Sequence, residues 1–182
     1  YKINQIPSSE YIVTENQSEL FQQKDFLPAV HKIALGGYDG KGVQVLLKEV
    51  DLSSGFNEPA VLEKMIHIKK EIAMTVAVNS KGETALYDPV DMVFDQYHNL
   101  LSHQLSPATL PEKTLWKVEA IAMKVVRELK SPGIFAVELF VDIDDNVFVN
   151  ETAPRVHNSG HHSIEACFCS QFDMLWRIIL HY

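Results

Sequence analysis

The sequence is poor in cysteine: its 182 residues include only Cys167 and Cys169. Two thiols at i and i+2 in an apolar segment exclude a scaffold of disulfides and do not give the paired spacing of a zinc site. They read as small core residues on or beside a helix. No apolar run approaches the ~18 residues that would suggest a membrane span, and no signal-peptide pattern opens the chain. A reducing, cytoplasmic setting with no membrane partner is therefore expected. Positive charge is also scarce. Sixteen Lys and Arg against 24 Asp and Glu leave a net charge of −8, which argues against a nucleic-acid partner, since such a protein needs a basic face to displace counterions. Repeats and low-complexity stretches are absent. What is present is ordinary: 46% apolar and 22% charged residues exclude a disordered or collagen-like chain. A chain of this size buries roughly 70% of its unfolded surface, as one domain or two small ones. The first residue is Tyr1 rather than Met, so a processed or cut piece of something longer is expected.

Residues 1–62 read as a small β-rich unit. Residues 11–13 look extended, 18–23 form a short helical turn, and strands are predicted at 30–35 and 43–49. The stretch 51–59, with Ser, Gly, Asn and Pro, reads as a connector. Strands follow at 61–65, 71–78 and 84–87, with a turn at 79–82. Leu115, Val118, Ala122, Val125 and Leu129 recur at spacings of three and four, which predicts an amphipathic helix over 111–130 with Pro111 in its first turn. Strands at 134–141 and 147–150 flank an Asp-rich turn, and 164–180 reads as a second apolar helix. Strands and helices mix without βαβ alternation, so the expected class is α+β.

Three features carry chemistry. Half of the eight glycines fall within seven residues, Gly36-Gly37-Tyr38-Asp39-Gly40-Lys41-Gly42. Glycines let successive backbone N–H groups cradle phosphate oxygens, and Lys32 and Lys41 add positive charge. A plain hairpin turn is the alternative, but it needs one or two glycines. The loop is neither a P-loop nor a dinucleotide fingerprint, because a strand follows it. The second feature is a pair of glutamates. Glu138 lies within an apolar strand and Glu151 closes the next. A two-residue turn at Asp144-Asp145 sets them directly opposite one another, and one at Asp145-Asn146 sets them diagonally. Both registers place them on one face, whereas a three-residue loop would break the geometry. Like charges so placed repel, and Mg²⁺ or Mn²⁺ would relieve the repulsion. A solvated sheet face is the alternative. The third feature is the polar run 153–162. Its Arg155 suits a planar anion such as bicarbonate, or else a phosphate, and His157 and Asn158 can bind or move protons. A zinc site from His157, His161 and His162 has no supporting motif.

Ala29-Val30-His31-Lys32 before the glycine loop, Val137-Glu138-Leu139-Phe140-Val141, the run from Asn150 through Ala153-Pro154-Arg155-Val156-His157-Asn158-Ser159-Gly160-His161, and Ser170-Gln171-Phe172-Asp173 together resemble the 5-(carboxyamino)imidazole ribonucleotide synthases. These are the ATPase subunits of phosphoribosylaminoimidazole carboxylase, in the ATP-grasp superfamily. The similarity runs in order along nearly the whole chain. It implies ATP-dependent phosphorylation of bicarbonate to carboxyphosphate, then carboxylation of 5-aminoimidazole ribonucleotide in purine biosynthesis, by a homodimeric enzyme. It also implies roles. Lys32 contacts the ATP phosphates, and Gly36 to Gly42 form the loop over them. Glu63 with Lys64 to Ile66 reads adenine, and Glu71 binds the ribose hydroxyls. Glu138 and Glu151 hold Mg²⁺. Arg155, His157 and Asn158 lie near bicarbonate or carboxyphosphate. Residues 1–62 would be the ATP-grasp lid and 63–182 an incomplete nucleotide- and metal-binding core.

The chain departs from the family pattern at Asn79, where an Arg is usual nearby, at Asp91-Met92, where a Glu-Asn pair is usual, and at Leu175, where a His is usual. The resemblance also implies an N-terminal domain of about a hundred residues and a basic C-terminal stretch beyond this sequence. The 182-residue chain alone is therefore expected to bind Mg-ATP weakly or not at all and to lack synthase activity. The alternatives are another ATP-grasp ligase, such as a formate-using glycinamide ribonucleotide transformylase, or a nucleotide-binding module without turnover.

Overall fold

The computed structural model describes residues 1–37, 41–95 and 101–182. The chain divides into two units. One is built on Ser9–Ile66, and the other gathers Tyr1–Ser8, His67–Phe94 and Leu101–Tyr182. Strands pair antiparallel in both, and helices pack on them, as an α+β class requires. Among the described residues no helix is long and apolar enough to cross a membrane.

In the smaller unit, β1 (Tyr11–Thr14), β2 (Ala29–Ile33), β3 (Val43–Leu46) and β4 (Ala60–Lys64) form a sheet in the order β1-β4-β2-β3. Period-two alternation assigns the faces. Ala29, Leu46 and Leu62 point inward, where Leu20 of α1 (Gln17–Phe21) and Leu52 complete a hydrophobic core. His31 lies on this inner face, wholly buried. Its Nε2 lies 3.0 Å from Thr14 Oγ1, and its Nδ1 accepts from the Phe56 N–H at 3.3 Å. The strand expected over 43–49 stops at Leu46. Asp51 Oδ2 accepts from the Leu47 and Lys48 N–H groups at 2.9 and 3.0 Å, which turns the chain into a 3₁₀ segment, Glu49–Ser54, that starts before the expected connector and runs into it.

In the larger unit, β5 (Ile68–Val78), β6 (Thr84–Leu86), β7 (Val90–Phe94), β8 (Leu101–Leu105), β9 (Gly133–Asp142) and β10 (Val147–Ala153) form a sheet in the order β10-β9-β5-β7-β8, with β6 also on β5. The sequence reading had no elements at β7 and β8. Central strand β5 is covered on both faces, so Ile72 through Ala77 are all buried. Ile72, Met74 and Val76 join Val137, Leu139 and Val141 of β9 against Val118, Ala122, Val125 and Val126 of α2 (Glu112–Leu129). Fully burying one such side chain contributes about 1.5–3 kcal/mol.

Two helix expectations change. Pro111 is the N-cap of α2, one residue before its first turn, and its carbonyl accepts from the Thr114 and Leu115 N–H groups. Leu129 ends the helix 47% exposed, so the buried stripe stops short of it. The single helix expected over 164–180 is broken into α3 (Ser163–Ala166) and α4 (Gln171–Leu180). Cys167 is extended, and Ser170 restarts the helix through a reciprocal capping box with Asp173. Cys167 and Cys169 are free thiols, partly buried in and beside this break.

Candidate functional site

The hairpin of β9 and β10 sets the carboxylate geometry, by a route neither expected register contained. Its loop has three residues, Ile143-Asp144-Asp145. Asp142 N–H donates to Asn146 C=O at 3.0 Å, and Asp145 takes φ 58°. Asp142 Oδ1 accepts from the Asp144 and Asn146 N–H groups at 2.9 and 2.8 Å and so shapes the loop. Near the loop Val147 pairs with Val141 and Val149 with Leu139, a register that would set Asn150, not Glu151, opposite Glu138. A bulge between Val149 and Glu151 adds one residue. Beyond it Glu151 pairs directly with Glu138. The bulge thus undoes the one-residue offset of the three-residue loop.

Glu138 projects from the sheet face opposite α2, because its neighbours Val137 and Leu139 fill the core against that helix. Glu71 of β5 pairs with Phe140, so it lies diagonal to Glu138 on the same face. Burial pushes the Glu138 carboxyl up to about 7, with the charges of Glu151 and then Glu71 adding to it. A carboxylate so crowded is stabilised by a proton or a cation.

His157 completes the cluster. Its Nδ1 lies 3.4 Å from Glu138 Oε1 and 3.0 Å from Ser159 Oγ. Donor atoms of Glu138, Glu151 and His157 all lie within 4.8 Å of one another. Two carboxylates and one imidazole fit a divalent cation, and an oxygen-dominated set favours Mg²⁺ or Mn²⁺. The zinc alternative disperses, since the three histidines do not converge. His161 stacks on Phe172, and His162 Nδ1 lies 3.3 Å from Ser159 C=O. Arg155 is exposed and donates to Val156 C=O at 3.1 Å, and Asn158 is exposed at the start of a 3₁₀ turn.

In the smaller unit, Lys32 Nζ lies 2.7 Å from Glu63 Oε2 on the outward face of the sheet. Lys32 pairs with Val61 and Val30 with Glu63, so the ion pair is diagonal. Val43 and Val45 share this face and remain partly exposed, giving an apolar surface around one charge pair. Lys64 turns to the other side, where its ammonium donates to Phe26 and Leu27 C=O at 2.9 and 3.1 Å. Ile66 follows the end of β4, half-buried. At the rim of the glycine loop Gly36 has φ 79° and Gly42 φ 83°, a left-handed backbone that suits glycine. Gly37 and Lys41 lie between these two, and Tyr38, Asp39 and Gly40 lie outside the described residues.

The departures from the family pattern have local roles. Asn79 Oδ1 accepts from the Lys81 and Glu83 N–H groups and builds a turn. Met92 is buried against Ala73 and Val90, Asp91 pairs with Lys70 at 2.7 Å, and Leu175 packs on Ala77, Tyr87 and Ile134.

Two antiparallel sheets with packed helices, one carrying a basic strand beside a glycine loop and the other an opposed carboxylate pair, form an ATP-grasp architecture. A family model for the ATP-grasp domain matches residues 1–172, and the chain belongs to that family. It is 37% identical over 150 residues to the N5-carboxyaminoimidazole ribonucleotide synthase of Staphylococcus aureus (strain COL), covering 80% of this chain and 39% of that protein. The crystal structure of N5-carboxyaminoimidazole ribonucleotide synthetase from Thermotoga maritima superposes with a TM-score of 0.84 at 37% identity, covering 98% of this chain and 46% of that one. That of carboxyaminoimidazole ribonucleotide synthase from Aspergillus clavatus, complexed with ATP, gives 0.90 at 30% identity, covering 99% and 49%. The chain spans less than half the length of each of these relatives.

Proposed function

We propose that the intact protein carrying this chain transfers the γ-phosphoryl group of ATP to bicarbonate, giving ADP and carboxyphosphate. The carboxyl group then passes to the exocyclic amine of 5-aminoimidazole ribonucleotide, and phosphate leaves. The observation that carries this reading is the Glu138–Glu151–His157 cluster, whose donor atoms fall within 4.8 Å on a chain similar to synthases of this name. A Mg²⁺ ion there would neutralise charge that develops during phosphoryl transfer. Glu138 and Glu151 are its proposed ligands, with the His157 imidazole beside them as a third donor, and Glu71 is proposed to accept from the ribose hydroxyls. Lys32 and the loop from Gly36 to Gly42 are assigned to the phosphates of ATP, and Glu63 through Ile66 to adenine. Arg155, His157 and Asn158 are assigned to bicarbonate and carboxyphosphate, where a guanidinium fork matches a planar trigonal anion. The lid, expected over residues 1–62, is proposed on the unit built on Ser9–Ile66, because Tyr1–Ser8 belong to the larger unit, and the nucleotide- and metal-binding core, expected over 63–182, on that larger unit. The reading carries with it a homodimeric enzyme of the cytoplasm.

The test is ADP release by the intact protein. It should require both bicarbonate and 5-aminoimidazole ribonucleotide, and Glu151→Gln should abolish it. Release that instead follows formate and glycinamide ribonucleotide would assign the chain to another ligase. No release with either pair would leave a nucleotide-binding module.

A further inference from the structure

His157 lies in irregular chain between β10 and the 3₁₀ turn Asn158–Gly160. One side chain nonetheless holds both polar atoms of its backbone. Gln171 Oε1 accepts from the His157 N–H at 2.9 Å, and Gln171 Nε2 donates to the His157 C=O at 2.8 Å. The carboxamide mimics a neighbouring strand, and its orientation follows, because a flip would set donor against donor and acceptor against acceptor. Gln171 is itself fixed. It is 1% exposed at the first position of α4, and its N–H donates to Ser163 Oγ at 2.9 Å, which donates to Gly160 C=O at 2.6 Å. A Cβ at Gly160 would stand 2.5 Å from Gln171 Oε1, so the absence of a side chain there admits the carboxamide. An apolar residue would satisfy burial at this position. A buried carboxamide costs free energy unless its groups are bonded, and here both side-chain partners belong to His157.

We propose that Gln171 is a positioning residue. It fixes the main chain of His157 and thereby holds the imidazole against Glu138 and Glu151. The inference rests on the function proposed above and deepens it, by naming what sets the third group of the cluster.

The test uses the intact protein and Gln171→Met, which keeps length and removes both bonds. Mn²⁺ affinity, read without nucleotide by the loss of the free-ion paramagnetic resonance signal, should weaken about 10- to 100-fold, and kcat should fall in the same range, as for supports of metal-site residues. KM for ATP should stay at the wild-type value. In a His157→Ala background Gln171→Met should add no further loss, because residues acting through one another are not additive. Gly160→Ala, which displaces the carboxamide without removing it, should reproduce the pattern and decides the matter should Gln171→Met not fold. Unchanged Mn²⁺ affinity and kcat in both variants overturn the proposal, as does a full second loss on the His157→Ala background. A wild-type protein that binds Mn²⁺ but releases no ADP refutes the enzymatic reading while leaving the Mn²⁺ comparison to judge the clamp. A wild type that binds no Mn²⁺ at this cluster refutes both.

Discussion

Cation binding at the opposed carboxylates should depend steeply on pH. Glu138 is pushed from 4.5 up to about 7, by burial first, then by Glu151 and Glu71. Below pH 7 a cation must displace its proton. At pH 6 most of Glu138 holds its proton, so binding there costs on the order of 1 kcal/mol more than binding to the ionised group. Mn²⁺ affinity should therefore fall about tenfold per pH unit below 7 and level off above it. The same shift has a stability consequence. The folded, cation-free protein holds the proton between pH 4.5 and 7 while the unfolded chain has lost it, so stability falls as pH rises through that window. By pH 8 the cost approaches (7 − 4.5) × 1.36, roughly 3 kcal/mol. Saturating Mn²⁺ should recover it. Glu151→Gln removes one of the charges that raise Glu138, so the inflection should move to lower pH yet stay above 4.5, because burial remains. The assay is Mn²⁺ titration of the intact protein from pH 5.5 to 8.5, with melting temperatures alongside. Affinity that is flat across pH 7, or an inflection unmoved by Glu151→Gln, would refute the reasoning.

Burial lowers the His31 pKa below its usual 6.5, so only the unfolded chain takes up the proton as pH falls beneath that value. The stability present above pH 6.5 should be lost progressively below it, and His31→Gln should flatten that part of the melting profile; a profile unchanged by the substitution would exclude His31 as its source. Leu139 is wholly buried between β5 and α2, so Leu139→Ala should cost about 2–5 kcal/mol in denaturant unfolding. Lys32→Met should raise KM for ATP in the intact protein and leave Mn²⁺ binding without nucleotide unchanged; an unaltered KM would remove Lys32 from the nucleotide site.

Much of the site was legible because its chemistry is written in short segments. Glu138 stands out in an apolar strand, and Glu151 follows it across one turn. The same-face inference survives, but not its route. Three loop residues would have put Asn150 opposite Glu138, and the bulge after Val149 reverses that offset. A bulge is a compromise among hydrogen bonds, side-chain packing and loop shape, and no single residue announces it. The break at Cys167 was legible in principle, since Ser170-Gln171-Phe172-Asp173 is a capping-box spacing, yet the apolar periodicity on either side masks it. Strands β7 and β8 had no such signal.

The sequence by itself determined the α+β class, the amphipathic face of α2, the glycine loop, and which carboxylates and histidines were candidates for the site, because periodicity and residue chemistry are local properties. Tertiary structure alone decided that Glu138 is crowded enough to hold a proton near neutrality, that of three clustered histidines only His157 meets the carboxylates, and that Gln171 reaches back fourteen residues to hold it. Those outcomes depend on burial and on the meeting of segments distant in sequence, and neither is encoded at any one position.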